Sequence, residues 1–164
     1  MSYLQKINSK IVSLDQAKLI SKSWTRDQQK IVFTNGCFDL IHLGHIDYLS
    51  KAADLGDKLV IGVNTDSSVT QLKGSHRPIK NEKSRTTILA ALEFVNLVIL
   101  FSEKTPINLV NTLKPDILVK GSDYSFNEVI GAKETLENGG RVELIDFIEG
   151  YSSSLIESKI RNHP

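Results

Sequence analysis

The chain has 164 residues, 40% of them hydrophobic, which suits one domain with a sizeable core and leaves no room for a second catalytic domain. Its 20 Lys plus Arg stand against 19 Asp plus Glu, a formal net charge of +1, so no global field favours nucleic acid or a membrane surface and any anion site must be local. Cys37 is the single cysteine, which excludes an intrachain disulfide and a multi-cysteine metal centre. The first residues do not read as a signal peptide, and no apolar run approaches the ~20 residues that span a bilayer. A cytoplasmic protein is therefore expected, with neither nucleic acid nor membrane as partner.

Residues 1–30 read as an N-terminal extension in which Leu14, Ala17, Leu19, Ile20 and Trp24 recur at helical spacing, so a helix packed on the core is expected there. From Ile31 onward, strand-like runs at 31–34, 59–64, 97–101, 117–120 and 142–145 alternate with helix-like stretches at 45–55, 83–94, 106–113, 130–138 and 153–160. Such alternation predicts an α/β domain, a doubly wound parallel sheet of five strands with helices on both faces. Thr105 can cap a helix that starts at Pro106, and Gly139-Gly140 can close the helix before the fifth strand. No repeat, low-complexity segment or linker interrupts the pattern, so a single domain is expected over residues 1–164. In a Rossmann-like order 3-2-1-4-5, the first and fourth strands flank the switch point where such sheets bind ligands. The segments trailing them, 35–38 and 121–124, would then face one crevice.

The first of these segments opens Thr34-Asn35-Gly36-Cys37-Phe38-Asp39-Leu40-Ile41-His42-Leu43-Gly44-His45. A strand ends, a turn follows, and a helix begins with two imidazoles three positions apart. A helix N-terminus offers unpaired N–H groups and about half a positive charge. Residues at i and i+3 share a face, so His42 and His45 can converge on one anion, and Gly44 removes a side chain that would hold a ligand off the backbone. Two ordinary hydrogen-bonded histidines remain the alternative. Zinc would need a third ligand at a recognisable spacing and the general-base Glu of H-E-x-x-H, neither of which is evident.

Farther along, Lys73, Arg77, Lys80, Lys83 and Arg85 face a single acid, Glu82, and Gly74 and Pro78 interrupt any helix. A solvated loop explains such a run. A loop after the second strand can also close over phosphates, with Lys73 and Arg85 the foremost candidates. Gly121-Ser122-Asp123-Tyr124 follows Lys120 and is either a plain turn or a place where Asp123 orients a ribose, an amine or a metal and Lys120 meets an anion. Tyr151-Ser152-Ser153-Ser154 precedes the last helix, as an N-cap or as a phosphate site. Cys37 has no partner base in sequence and reads as a small, half-buried residue.

Taken together, TNGCFDLIHLGHIDYL at 34–49, VNTDSSVTQLKGSHRPI at 63–79, FSEKTPINLVNTLKPDILVKGSDY at 101–124 and ENGGRVELIDFIEGYSSSLI at 137–156 resemble the cytidylyltransferase-like nucleotidyltransferases. Their marks are His-x-Gly-His after the first strand and a Ser/Thr-rich segment before the last helix. Within that family the likeness is greatest to the adenylyltransferase domains of ADP-heptose synthesis. The resemblance implies transfer of AMP from ATP to D-glycero-β-D-manno-heptose 1-phosphate, with Mg²⁺ accompanying ATP. It implies that His42 and His45 contact the triphosphate and that Thr34, Asn35, Gly36, Cys37, Phe38 and Gly44 form the phosphate turn. Lys73 and Arg85 would hold the β- and γ-phosphates, and Lys120, Gly121, Asp123 and Tyr124 the nucleotide. Ser152 and Ser153 would bind the departing pyrophosphate with Ser154 among the nucleotide contacts, and Asp39 would contribute to a metal. A homodimer and a separate sugar kinase are also implied.

Two positions depart from that pattern. Ser122 replaces the second glycine of Gly-Gly-Asp-Tyr, and Tyr151 with three serines replaces Cys-Ser-Thr-Thr. Glycerol-3-phosphate cytidylyltransferases, the rival reading, typically carry an arginine just before the last Glu-Gly, where this chain has Phe147-Ile148. A non-catalytic nucleotide-binding module would be expected to lack one of the histidines or basic residues, all of which are present.

Overall fold

The computed structural model describes residues 1–162, so the last two positions of the domain expected over 1–164 lie outside the described residues. Among the described residues there are six strands: β1 (Ile11–Val12), β2 (Ile31–Gly36), β3 (Lys58–Asn64), β4 (Leu97–Phe101), β5 (Ile117–Gly121) and β6 (Arg141–Ile145). The helices are α1 (Tyr3–Asn8), α2 (Leu14–Arg26), α3 (Leu43–Ala53), α4 (Asp66–Lys73), α5 (Glu82–Ala90), α6 (Ile107–Leu113), α7 (Ala132–Glu137) and α8 (Ser153–Asn162). None is long and apolar enough to cross a membrane among the described residues.

β2, β3, β4 and β5 are buried on both faces, as the inner strands of a parallel sheet must be, because helices cover each side. Successive residues part to opposite faces. Val32, Ile61, Val98 and Val119 pack with Leu49 and Ala52 of α3 and Leu89 of α5. Ile31, Phe33, Val60 and Ile99 pack with Ala17 of α2 and Leu109, Val110 and Leu113 of α6.

All pairings are parallel, and the order across the sheet is β1-β4-β3-β2-β5-β6. The expected five-stranded sheet is thus corrected to six strands. The five anticipated strands keep the relative order 3-2-1-4-5, and β1 adds a rung beside β4, Ile11 against Val98 and Val12 against Ile99. Two residues are too few to show a period, so this rung left no signal inside an extension read as helical. In α2, Ala17 is buried and Leu14, Ile20 and Trp24 pack against the core, whereas Leu19 is 70% exposed. Ala17, Ile20 and Trp24 follow the three-then-four spacing of one face, and Leu19 falls off it.

Local capping sets where the connections end. Thr65 accepts the N–H of Ser68 at 3.3 Å and starts α4, a helix absent from the expected alternation. Asn81 accepts the N–H of Ser84 at 2.9 Å and starts α5, so the basic run is divided between α4, a loop and α5. Pro106, not Thr105, holds the N-cap position of α6. Gly139 has φ +83°, and the N–H groups of Gly139 and Gly140 return to Leu136 and Thr135 at 2.9 Å, closing α7 through the left-handed conformation that glycine adopts freely.

Candidate active site

β2 pairs with β3 on one side and β5 on the other, so the chain winds away in two directions from this strand. There the carboxyl ends border a cleft of about 710 Å³. It is lined by Asn35, Gly36, Cys37 and Phe38 after β2, by His42 and His45 at α3, by Lys73 at the end of α4, by Lys120, Gly121, Asp123 and Tyr124 from β5, and by Ser152 and Ser153 at α8. Thr34, Gly44, Arg85 and Ser154 do not line it.

His42 is the N-cap of α3, not a helical residue, and its carbonyl accepts the N–H groups of His45 at 2.9 Å and Ile46 at 3.2 Å. The two rings nonetheless meet, with centroids 3.9 Å apart and planes at 36°. The Nδ1 atoms of both histidines and Oδ1 of Asn35 are buried without a hydrogen-bond partner. Buried polar atoms are normally satisfied, so three unmet ones beside a cleft are suited to an incoming ligand. Burial first, then the neighbouring His42 and Lys73 charges, push the His45 pKa down to about 4, and burial also lowers that of His42. At neutral pH the pair is therefore uncharged and can donate or accept without mutual repulsion.

Gly44 acts differently from expectation. A Cβ there would come within 3.1 Å of the His42 ring and 3.3 Å of Tyr151 Cβ, so the missing side chain makes room for the imidazole and the α8 approach. Phe38 turns the chain with φ +49°, and its ring lies 5.6 Å from that of His45. Lys120 donates from Nζ to the Asn35 carbonyl at 3.1 Å, joining the two trailing segments. Burial lowers its pKa to about 8 against the opposing pull of Asp123, leaving it a cation at neutral pH. Burial raises the Cys37 thiol despite Lys73 and Arg85, which disfavours a thiolate nucleophile.

Two of the expected contacts, Arg85 and Asp39, are taken up by groups of the protein itself. Arg85 is 0% exposed and donates to the carbonyls of Cys37 and Asn64 at 2.7 Å, to that of Lys80 at 3.0 Å and to Asp66 Oδ1 at 2.9 Å. It fastens the cleft from behind. Asp39 accepts from Arg77, from the N–H of Ile79 at 2.8 Å and from that of Lys80 at 2.8 Å. Burial raises its pKa, but those backbone N–H groups and the guanidinium outweigh it and hold the carboxyl below its ordinary value. Asp39 lines the cleft, and both of its oxygens are engaged there as an ion-pair anchor for the turn. Among the described residues no group of three or more His, Cys, Asp or Glu is placed to hold a metal ion.

Thr34 shares a 2.8 Å hydrogen bond with the Tyr48 hydroxyl behind the turn. Ser152 Oγ accepts the N–H of Leu155 at 3.2 Å, which leaves its own O–H to donate. Sequence reasoning missed Asn64, Leu72, Phe101 and Lys104, which also line the cleft. The available signal is polarity at the strand ends, Asn64 closing β3 and Lys104 in the polar run just past β4.

A parallel sheet carrying a cleft of imidazoles, lysines and helix-start hydroxyls at its switch point defines a class of phosphate-handling enzyme. A family profile described as cytidylyltransferase-like matches residues 33–159, and the chain belongs to this family of nucleotidyltransferase enzymes. The bifunctional protein HldE of Citrifermentans bemidjiense is 53% identical over 154 residues, covering 93% of this chain and 31% of that protein. HldE of Helicobacter pylori is 52% identical over 158 residues, covering 96% of this chain and 32% of that protein. The chain spans about a third of the length of these relatives. A crystal structure of a lipopolysaccharide core biosynthesis protein from Thermoplasma volcanium superposes with a TM-score of 0.59 at 32% identity, covering 76% of this chain and 99% of that one. Pantoate-beta-alanine ligase from Francisella tularensis, with a TM-score of 0.60 at 17% identity over 92% of this chain and 76% of that one, shares the fold.

Proposed function

We propose that this domain transfers AMP from ATP to D-glycero-β-D-manno-heptose 1-phosphate, giving ADP-heptose and pyrophosphate. The observation that carries the reading is the pair of neutral histidines whose tilted rings meet 3.9 Å apart, each with an unpartnered Nδ1, in one cleft with Lys73, Lys120 and the α8 hydroxyls. A sugar phosphate oxygen attacks the α-phosphorus of ATP and the bond to the bridging oxygen of pyrophosphate breaks, so no covalent enzyme intermediate is needed. Placement and charge stabilisation are then the work of the protein. His42 and His45 meet oxygens of the triphosphate, Lys73 and Lys120 neutralise the charge that develops, and Ser152 and Ser153 receive the departing pyrophosphate. Arg85 acts from behind by holding the Cys37 and Asn64 carbonyls.

The likeness to the bifunctional HldE proteins and to a lipopolysaccharide core biosynthesis protein supports a role in making a sugar nucleotide, and the heptose acceptor follows from the motif resemblance to ADP-heptose synthesis. Mg²⁺ would accompany ATP and offset phosphate charge; the cleft offers the carboxylate of Asp123 beside its lysines, while that of Asp39 is already engaged by Arg77 and two backbone N–H groups. A sugar kinase would supply the acceptor, and a homodimer is the assembly the resemblance implies. In a pyrophosphate-release assay, ATP with heptose 1-phosphate should turn over at least about a hundredfold faster than CTP with glycerol 3-phosphate, a gap of about 3 kcal/mol in transition-state stabilisation. The reverse ranking would move the domain to glycerol-3-phosphate cytidylyl transfer, and no release with any pair would make it a binding module.

A further inference from the structure

Arg77 lies in the loop between α4 and α5, 7% exposed, and does not itself line the cleft. One terminal nitrogen of its guanidinium bonds Asp39 Oδ2 at 2.5 Å, and its Nε stands 3.3 Å from Glu157 Oε1 on α8. Asp39 belongs to the turn that runs from Phe38 to His42. A single planar cation thus joins the imidazole-bearing turn to the helix that carries the serines. That helix has no buried residue of its own. A helix without a buried face draws little from packing, so polar ties decide where it sits. Ser153 Oγ donates to the Leu40 carbonyl at 3.4 Å, a long bond to the residue next to Asp39. Both ties therefore end on the same turn.

We propose that Arg77 is a positioning residue for the leaving group: by bridging Asp39 and Glu157 it sets the span between the imidazole pair and the Ser152-Ser153 hydroxyls, so that both walls grip one pyrophosphate. This rests on the reading that those hydroxyls receive pyrophosphate. The two arms of the bridge differ in strength. Asp39 is buried and braced by two backbone N–H groups, whereas the Glu157 side chain is 23% exposed and adds no backbone bond. The α8 arm can therefore be cut while the Asp39 arm stays. A guanidinium directs its donors in a fixed fork, and a lysine, a point charge, cannot serve two carboxylates in two directions.

Isothermal titration of the full chain with inorganic pyrophosphate tests this. Glu157→Gln should weaken pyrophosphate about fivefold, the scale of a partly exposed ion pair, while the melting temperature moves by less than about 2 °C. Ser153→Ala should weaken it too, and the double variant should fall short of the product of the two single effects, because an α8 released from Arg77 no longer presents the Ser153 hydroxyl. Arg77→Lys should reproduce the Glu157→Gln loss. Pyrophosphate affinity within twofold of wild type in Glu157→Gln, or full additivity with Ser153→Ala, would overturn the positioning role. His45→Ala separates the two readings. If it weakens pyrophosphate and Glu157→Gln does not, only the role of Arg77 is lost; if it leaves pyrophosphate binding unchanged, the functional reading of the cleft goes, and Arg77 with it.

Discussion

His45 sits where burial, and to a smaller extent its neighbours His42 and Lys73, oppose its protonation, and this gives the residue a measurable cost and a measurable use. In the unfolded chain its imidazole titrates near 6.5, and in the folded chain near 4. Between those values the unfolded state binds the proton and the folded state does not, so stability from the neutral ring is complete above about pH 6.5 and is lost as pH falls toward 4. The whole effect is at most about 3 kcal/mol. An anion in the cleft reverses the balance by favouring the imidazolium. In proton NMR the His45 ring resonance of the free protein should titrate near pH 4, and its midpoint should rise by more than about one unit when pyrophosphate is added. An unmoved midpoint would mean that the ring does not meet the anion. Gly44 belongs to the same account, since any larger residue would push against the His42 ring and part the pair.

At the scale of elements, α5 is joined to the ends of β2 and β3 by Arg85, whose guanidinium is shared among three carbonyls and Asp66. Removing a buried cation of this kind orphans carbonyls that water cannot reach. Arg85→Met should therefore destabilise the fold by at least about 3 kcal/mol in urea denaturation. Lys73, exposed at the end of α4, offers the contrast. Lys73→Ala should change stability by less than about 0.5 kcal/mol while raising the KM for ATP. If the two variants behaved alike in denaturant, the division of the basic run into a clamp and a phosphate contact would be wrong. A similar constraint holds at the end of β5, where a Cβ on Gly121 would collide with the Phe147 ring that itself lies 5.3 Å from Tyr48.

For the molecule as a whole, the strand order brings two lines of chain back to one place. β3 and β4 deliver Asn64 and Lys104 to one end of the cleft, β5 and the segment after β6 deliver Asp123, Tyr124 and Phe147 to the other, and the histidines stand between. A ligand that spans this cleft binds only the folded state and must stabilise it by mass action. ATP with Mg²⁺ at a hundred times its dissociation constant adds about 2.7 kcal/mol, which should raise the melting temperature by about 5–10 °C. A scan that showed no rise with ATP under those conditions would contradict nucleotide binding in the cleft.

The amino-acid sequence by itself determined the alternation of elements, the parallel sheet and the turn that carries the imidazoles, because these follow from spacings of two to four residues. β1 escaped it, for two residues show no period, and α4 did too, because its Thr65 cap stands in a polar stretch that reads equally well as loop. Only the tertiary structure decided which cations reach the cleft. Arg85 faces carbonyls up to 48 positions away and Asp39 takes Arg77 from 38 positions away. Neither partner can be read locally, since a long side chain pairs with whatever the sheet order places beside it, and that order is settled by burying both faces of the strands at once.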